Sequence, residues 1–235
     1  MRSFFIICWL AIPLLAWAYH VGPGQEQLKL DDAGRLLHQA SLAGKAEDFD
    51  RAKTLYSESL AKLPSDRKAD AYVARLELAK AQTKSGQLPE GRASLETLLE
   101  EMEKDQSVDP KVFDQTREAL AGAQYYMTWL MRLEGKAAEE WEPEADAARQ
   151  NYRLLSEKSA EAGDDKQLES HRHDLEATIR LARMDLDELQ ALKIPKQCNG
   201  CCSNQCKKPG KPSQKKSEKK GQGANTGPLP DGSGS

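Results

Sequence analysis

LLHQASLAGKAEDFDRAKTLYSESLAKLP, residues 36–64, is the stretch on which the fold turns. Ala40 is a small residue where two helices of a hairpin would cross. Phe49, Ala52, Tyr56, Ser59, Leu60 and Pro64 then follow at offsets of 3, 4, 3, 1 and 4. That spacing places them on one side of a helix ended by proline. The same periodicity continues outward in both directions. Pro64, Pro89, Pro110 and Pro143 fall at breaks in the apolar pattern and mark helix ends or first turns. Helices are expected near 30–44, 47–63, 67–85, 89–104, 110–134, 142–162 and 165–193, and nothing alternates in the manner of a strand. Composition agrees. Only 6% of the residues are aromatic and 30% are charged, too few β-branched and aromatic side chains for a large sandwich or barrel. The fold class is all-α.

The offsets of the 49–64 helix resemble those of the tetratricopeptide repeat, whose second helix carries aromatic, Ala, aromatic, small, Leu and a closing Pro. A second copy begins near Tyr72, with Leu78 and Ala79 ahead of Gly86, Gln87 and Leu88, then Leu95, Leu98 and Leu99. It departs from the pattern in having Gly91 where the small Ala stands and Glu103 where the Pro stands. The step from Glu47 to Gly86 is 39 residues, against a repeat of about 34. A longer third hairpin pairs Leu120, Ala121, Tyr125, Tyr126, Trp129, Leu130 and Leu133 with Ala145, Ala148, Tyr152 and Leu155. An extended elbow from Gly135 to Glu142 separates the two halves. One hairpin cannot bury its apolar face, so stacked copies need a terminal cap. Leu175, Ile179, Ala182, Leu186 and Leu189 form a single stripe that suits a capping helix. The same stripe is short for a coiled-coil dimer.

Both ends differ from this body. Arg2, an apolar run from Ser3 to Leu15 and the small residues Ala16 and Ala18 around Trp17 read as a secretory signal peptide over 1–18. The run falls short of the roughly 20 residues that cross a bilayer as a helix; an uncleaved anchor is the alternative. A linker over 19–29 and the helical domain over 30–194 follow. The tail, 195–235, holds eight lysines against two acidic residues, with seven glycines and five prolines. It cannot bury enough apolar surface to order itself. The net charge of −3 therefore conceals a tail near +6 and a body near −10. A near-neutral total argues against a nucleic-acid binder; weak contact of the tail with anionic envelope polymer or lipid is the alternative to a simply solvated charge run.

Four cysteines, Cys198, Cys201, Cys202 and Cys206, lie within nine residues of that tail. In an oxidising compartment two structural disulfides are the first reading, with three pairings open. Thiolate coordination of Zn²⁺ or Cu(I) is the second. A redox CxxC pair and disulfides to a partner complete the set. No cofactor is otherwise implied. His171 and His173, two apart at a helix start, read as surface residues rather than paired ligands, which sit four apart. No metalloprotease, hydrolase or phosphate-loop motif occurs. Glu139, Glu140, Glu142 and Glu144 read as a solvated face. Tyr125, Tyr126, Trp129 and Trp141 read as core; a ligand site there would need a deep polar pocket.

Tetratricopeptide proteins bind peptides or protein surfaces in the concave face lined by the first helix of each pair. The resemblance implies a non-enzymatic scaffold or adaptor, exported to the periplasm or beyond, for a protein partner of a bacterial cell envelope. It points to polar positions on the first helices: Arg35, His38, Gln39, Arg75, Gln82 and Gln124. The competing function is metal or thiol chemistry at the tail cysteines.

Overall fold

In the computed structural model, which describes residues 23–191 together with positions 9, 11–13 and 17, eight helices follow one another from residue 23. They are α1 (Pro23–Lys45), α2 (Phe49–Lys62), α3 (Lys68–Lys84), α4 (Leu88–Glu103), α5 (Pro110–Leu133), α6 (Ala138–Ala162), α7 (Asp165–Arg183) and α8 (Leu186–Ala191). No strand occurs among the described residues. The stretch expected to be a signal peptide, apart from positions 9, 11–13 and 17, and the expected tail with its four cysteines lie outside the described residues.

Four of the turns share one construction. Glu47, Gly86, Gly135 and Gly163 adopt left-handed φ of 60°, 88°, 71° and 69°. In each turn the next amide reaches back five residues: Asp48 to Ala43, Gln87 to Gln82, Lys136 to Met131 and Asp164 to Ser159, at 2.9–3.0 Å. The helix carbonyls left without partners are thereby satisfied, and the chain reverses within a few residues. Glycine suits the left-handed position because it has no Cβ; Glu47 holds it at a steric cost. Asp48 and Asp164 end one turn and begin the next helix, their carboxylates accepting from the Arg51 and Gln167 amides. Asp109 caps α5 in the same way, and Pro110 supplies a preset first residue.

The described residues fall into two compact units that divide between Leu78 and Ala79. In the first, α1 packs on α2 through Ala33, Ala40 and Ala52, all inaccessible to solvent. Ser59, also buried, donates its hydroxyl to the Ala33 carbonyl at 3.1 Å, and Lys62 pairs with Asp32 at 3.0 Å. In the second unit α5 packs on α4 and α6, α7 packs on α6, and α8 touches α5. Arg92 of α4 bonds both Glu96 and, on α6, Glu144 at 2.8 Å. Close approach is most severe at Gly91. A Cβ there would stand 2.9 Å from the Ala79 carbonyl oxygen and the Thr83 nitrogen, and nearer still to the Thr83 methyl. This departure from the repeat pattern has a steric reason.

Three boundaries differ from expectation. Residues 23–29 of the expected linker are helical, because Pro23 presets the first helical φ and Gln25, Glu26, Gln27, Leu28 and Lys29 are good helix formers. The extended elbow shrinks to residues 134–137, and α6 takes in Pro143. That proline is exposed, so water reaches the carbonyl its missing N–H leaves free. The last helix breaks at Met184 and Asp185. There Asp185 caps the Glu188 amide at 2.8 Å while the Glu188 carboxylate accepts from the Asp185 amide, a reciprocal cap that starts α8. The expected stripe loses its continuity with this break: Leu186 is largely exposed, whereas Leu189 is buried.

Gly91→Ala should lower unfolding free energy by about 2 kcal/mol through overpacking. Gly122→Ala, whose Cβ meets nothing nearer than the Tyr152 hydroxyl at 3.6 Å, should be neutral or gain a few tenths from helix propensity. Urea unfolding followed by circular dichroism separates the two; equal effects would refute the close-approach account.

Candidate functional site

The six groove positions fall into different environments. Arg35, His38 and Gln39 are exposed and share one side of α1, as their spacing of three and four dictates. Arg35 is held by Asp32 at 2.8 Å. Arg75 is half-buried on α3. Gln82 is half-buried too, with its side-chain oxygen enclosed and without a hydrogen-bond partner. Gln124 is a correction: at 3% exposure it belongs to the core. Its side-chain oxygen accepts from Asn151 of α6 at 3.0 Å, and Asn151 in turn accepts from Arg117, which also reaches Glu103. A polar residue on a first helix here joins helices instead of facing water.

Gln124 is part of a polar seam that runs through the second unit. Thr116, Thr128, Ser156, Ser159 and Thr178 are buried, and each hydroxyl donates to a carbonyl three or four residues back on its own helix. That arrangement removes the desolvation penalty locally and leaves the helices free to pack. His171 is the second correction. It is 4% exposed, with Nδ1 at 3.0 Å from Ser159 Oγ. It stands in the second turn of α7, on the side shared with Asp174, Thr178 and Leu181, all buried. The Ser159 hydroxyl thus sits between the Leu155 carbonyl at 2.9 Å and His171 Nδ1, and the tautomer of His171 sets which member of the histidine–serine pair donates. His173, by contrast, is half-buried, 3.7 Å from the Asp174 carboxylate.

Burial first, and then the negative charge of Asp174, push the Tyr125 and Tyr152 phenols well above their ordinary value, Arg180 opposing this in part at Tyr125. Neither phenol is poised for proton transfer near neutral pH. Tyr125 and Tyr126 meet edge to face at 5.5 Å, and with Trp129 they are buried, so these aromatics fill the core. Trp141 has a different task. Arg132 lies over its ring at 4.8 Å and donates to the carbonyls of Leu181 and Met184 at the end of α7. The guanidinium thus occupies the negative end of that helix. Its partial burial lowers the Arg132 pKa, with Asp185 opposing. Among the described residues no three His, Cys, Asp or Glu side chains gather to hold a metal; Cys198, Cys201, Cys202 and Cys206 lie outside them. No described helix is long and apolar enough to cross a membrane.

Arg132→Met should cost about 1–3 kcal/mol, since two terminal carbonyls lose charged donors; urea unfolding measures it, and an unchanged midpoint would contradict the clamp. Tyr56 in the first unit is raised to about 12 by burial and then by Glu77. The folded state holds these phenolic protons more tightly than the unfolded chain does, so their contribution is whole below about pH 10 and is lost as pH climbs through 12. Tyrosinate absorbance and circular dichroism recorded together should show the buried tyrosines ionising only as helix content falls. Compared with protein-family models, curated proteins and solved structures, the chain has no match, and its functional reading rests on its own residues.

Proposed function

We propose that the chain is a tetratricopeptide-like helical solenoid acting as a non-enzymatic scaffold or adaptor of a bacterial cell envelope, exported by its N-terminal segment. The observation that carries this reading is the division of labour on α1. Ala33, Ala40 and Ala43 are buried, while Arg35, His38 and Gln39 remain exposed on a first helix, the helix by which tetratricopeptide proteins engage partners. Two further features support it. The turns at Glu47, Gly86 and Gly135, each closing a helical pair, share one geometry, which the Gly163 turn repeats between α6 and α7. The second helices α2 and α6 each bury an Ala four residues before a Tyr, Ala52 with Tyr56 and Ala148 with Tyr152, in the order expected of such repeats. With Gln124 assigned to the core, the partner-facing set reduces to Arg35, His38 and Gln39, with Arg75 and Gln82 at most partly accessible.

A photo-crosslinking residue placed at His38 or Gln39 in producing cells should trap one and the same partner band in the periplasmic or secreted fraction. Glu58, exposed on α2, serves as the control position. Absence of any band at both test positions, or an equal band at Glu58, would sink the adaptor reading.

A further inference from the structure

Between α6 and α7 lies a cleft of about 120 Å³ lined by Ala145, Asp146, Arg149, Thr178, Ile179, Ala182 and Arg183. Its apolar side is made of small and aliphatic residues: Ala145, Ala182 and Ile179. The buried Thr178 hydroxyl is already bonded to the Asp174 carbonyl at 2.8 Å, so it makes little further polar demand. The space is of the order that holds one compact apolar group, since cavities of about 150 Å³ accept benzene. The charged lining is unlike the rest of the body, which carries a net charge near −10. Arg149 is balanced only by Asp146 in an exposed pair at 3.1 Å, an interaction of small worth that a competing carboxylate readily shares. Arg183 is exposed and makes no ion pair among the described residues. Two guanidiniums against one carboxylate leave a local excess of positive charge beside an apolar hollow. Guanidiniums match carboxylates in geometry as well as charge.

We propose that the cleft between α6 and α7 binds an acidic peptide segment, seating one aliphatic side chain among Ala145, Ile179 and Ala182 and resting its carboxylates on Arg149 and Arg183. The site uses other helices than the α1 surface proposed above, so the crosslinking experiment and the one below succeed or fail separately. Fluorescence anisotropy of the full chain with the labelled peptides DELDE, DEGDE and KKLKK tests it. The lysines of the tail attract both acidic peptides alike, so the readout is the difference between them. DELDE should bind about tenfold tighter than DEGDE, the amount that burying one aliphatic side chain supplies, and KKLKK should bind more weakly than either. Arg183→Glu, a surface change that leaves packing intact, should weaken DELDE and DEGDE alike, because both carry the carboxylates it repels. Ala182→Phe, which fills the hollow, should bring DELDE down to the level of DEGDE, its fold being checked by thermal melting. Equal binding of the two acidic peptides, preference for KKLKK, acidic-peptide binding unchanged by Arg183→Glu, or a DELDE advantage that survives Ala182→Phe in the folded variant would overturn the proposal.

Discussion

Helices that meet through alanine and glycine must come close, and that closeness is the constraint on which the rest of the structure depends. The buried hydrophobic residues include Ala33, Ala40, Ala52, Ala74, Ala79, Ala121, Ala145 and Ala148, whereas large aromatics are few. Each alanine removes little apolar area from water; its contribution is to let helices approach, while Leu76, Leu95, Leu98, Met102 and Leu181 supply the larger buried side chains. The left-handed turns at Glu47, Gly86, Gly135 and Gly163 reverse the chain within a few residues. At Gly91 even a methyl group exceeds the clearance.

The same closeness explains why so much of the second unit's interior is polar. Ser and Thr are short side chains that fit between near backbones, and their hydroxyls find carbonyls on their own helix. The bonds that cross between helices include Asn151 to Gln124, Arg117 to Asn151, Lys158 to Asp114, Arg132 to the end of α7 and the His171–Ser159 pair. Those bonds fix how α5, α6 and α7 lie against each other more sharply than alanine contacts do, because hydrogen bonds have direction.

Helix type and approximate placement were legible because apolar periodicity and proline placement are local signals, although the last of the seven expected helices divides into α7 and α8. The helical pairs around Glu47 and Gly86 could be read from small residues and turn residues alone. What local pattern could not supply was which side of α7 is buried. Leu175, Ile179 and Ala182 make the obvious stripe, and although Leu175 packs against Ala121, Tyr152 and Leu155, all three are only half-buried. The core side is the neighbouring stripe of His171, Asp174, Thr178 and Leu181. A polar stripe at spacings of 3, 4 and 3 is a visible signal once the facing helix is known to offer Ser159 and Tyr152. Gln124 was misread for the same reason, since its partner Asn151 lies 27 residues away. The α7 break depended on Arg132, 49 residues from the Leu181 carbonyl it holds, a distance over which sequence spacing carries no information.

The Arg132 clamp also bears on how cooperatively the molecule opens. Beyond Met184, attachment among the described residues rests on the guanidinium at the end of α7, the reciprocal Asp185–Glu188 cap and the burial of Leu189. These are few and close together. The segment 184–191 is therefore a separate low-energy opening unit, able to detach while α5, α6 and α7 keep their seam. Arg132, reaching from α5 to the carbonyls of Leu181 and Met184, is the joint at which that opening begins.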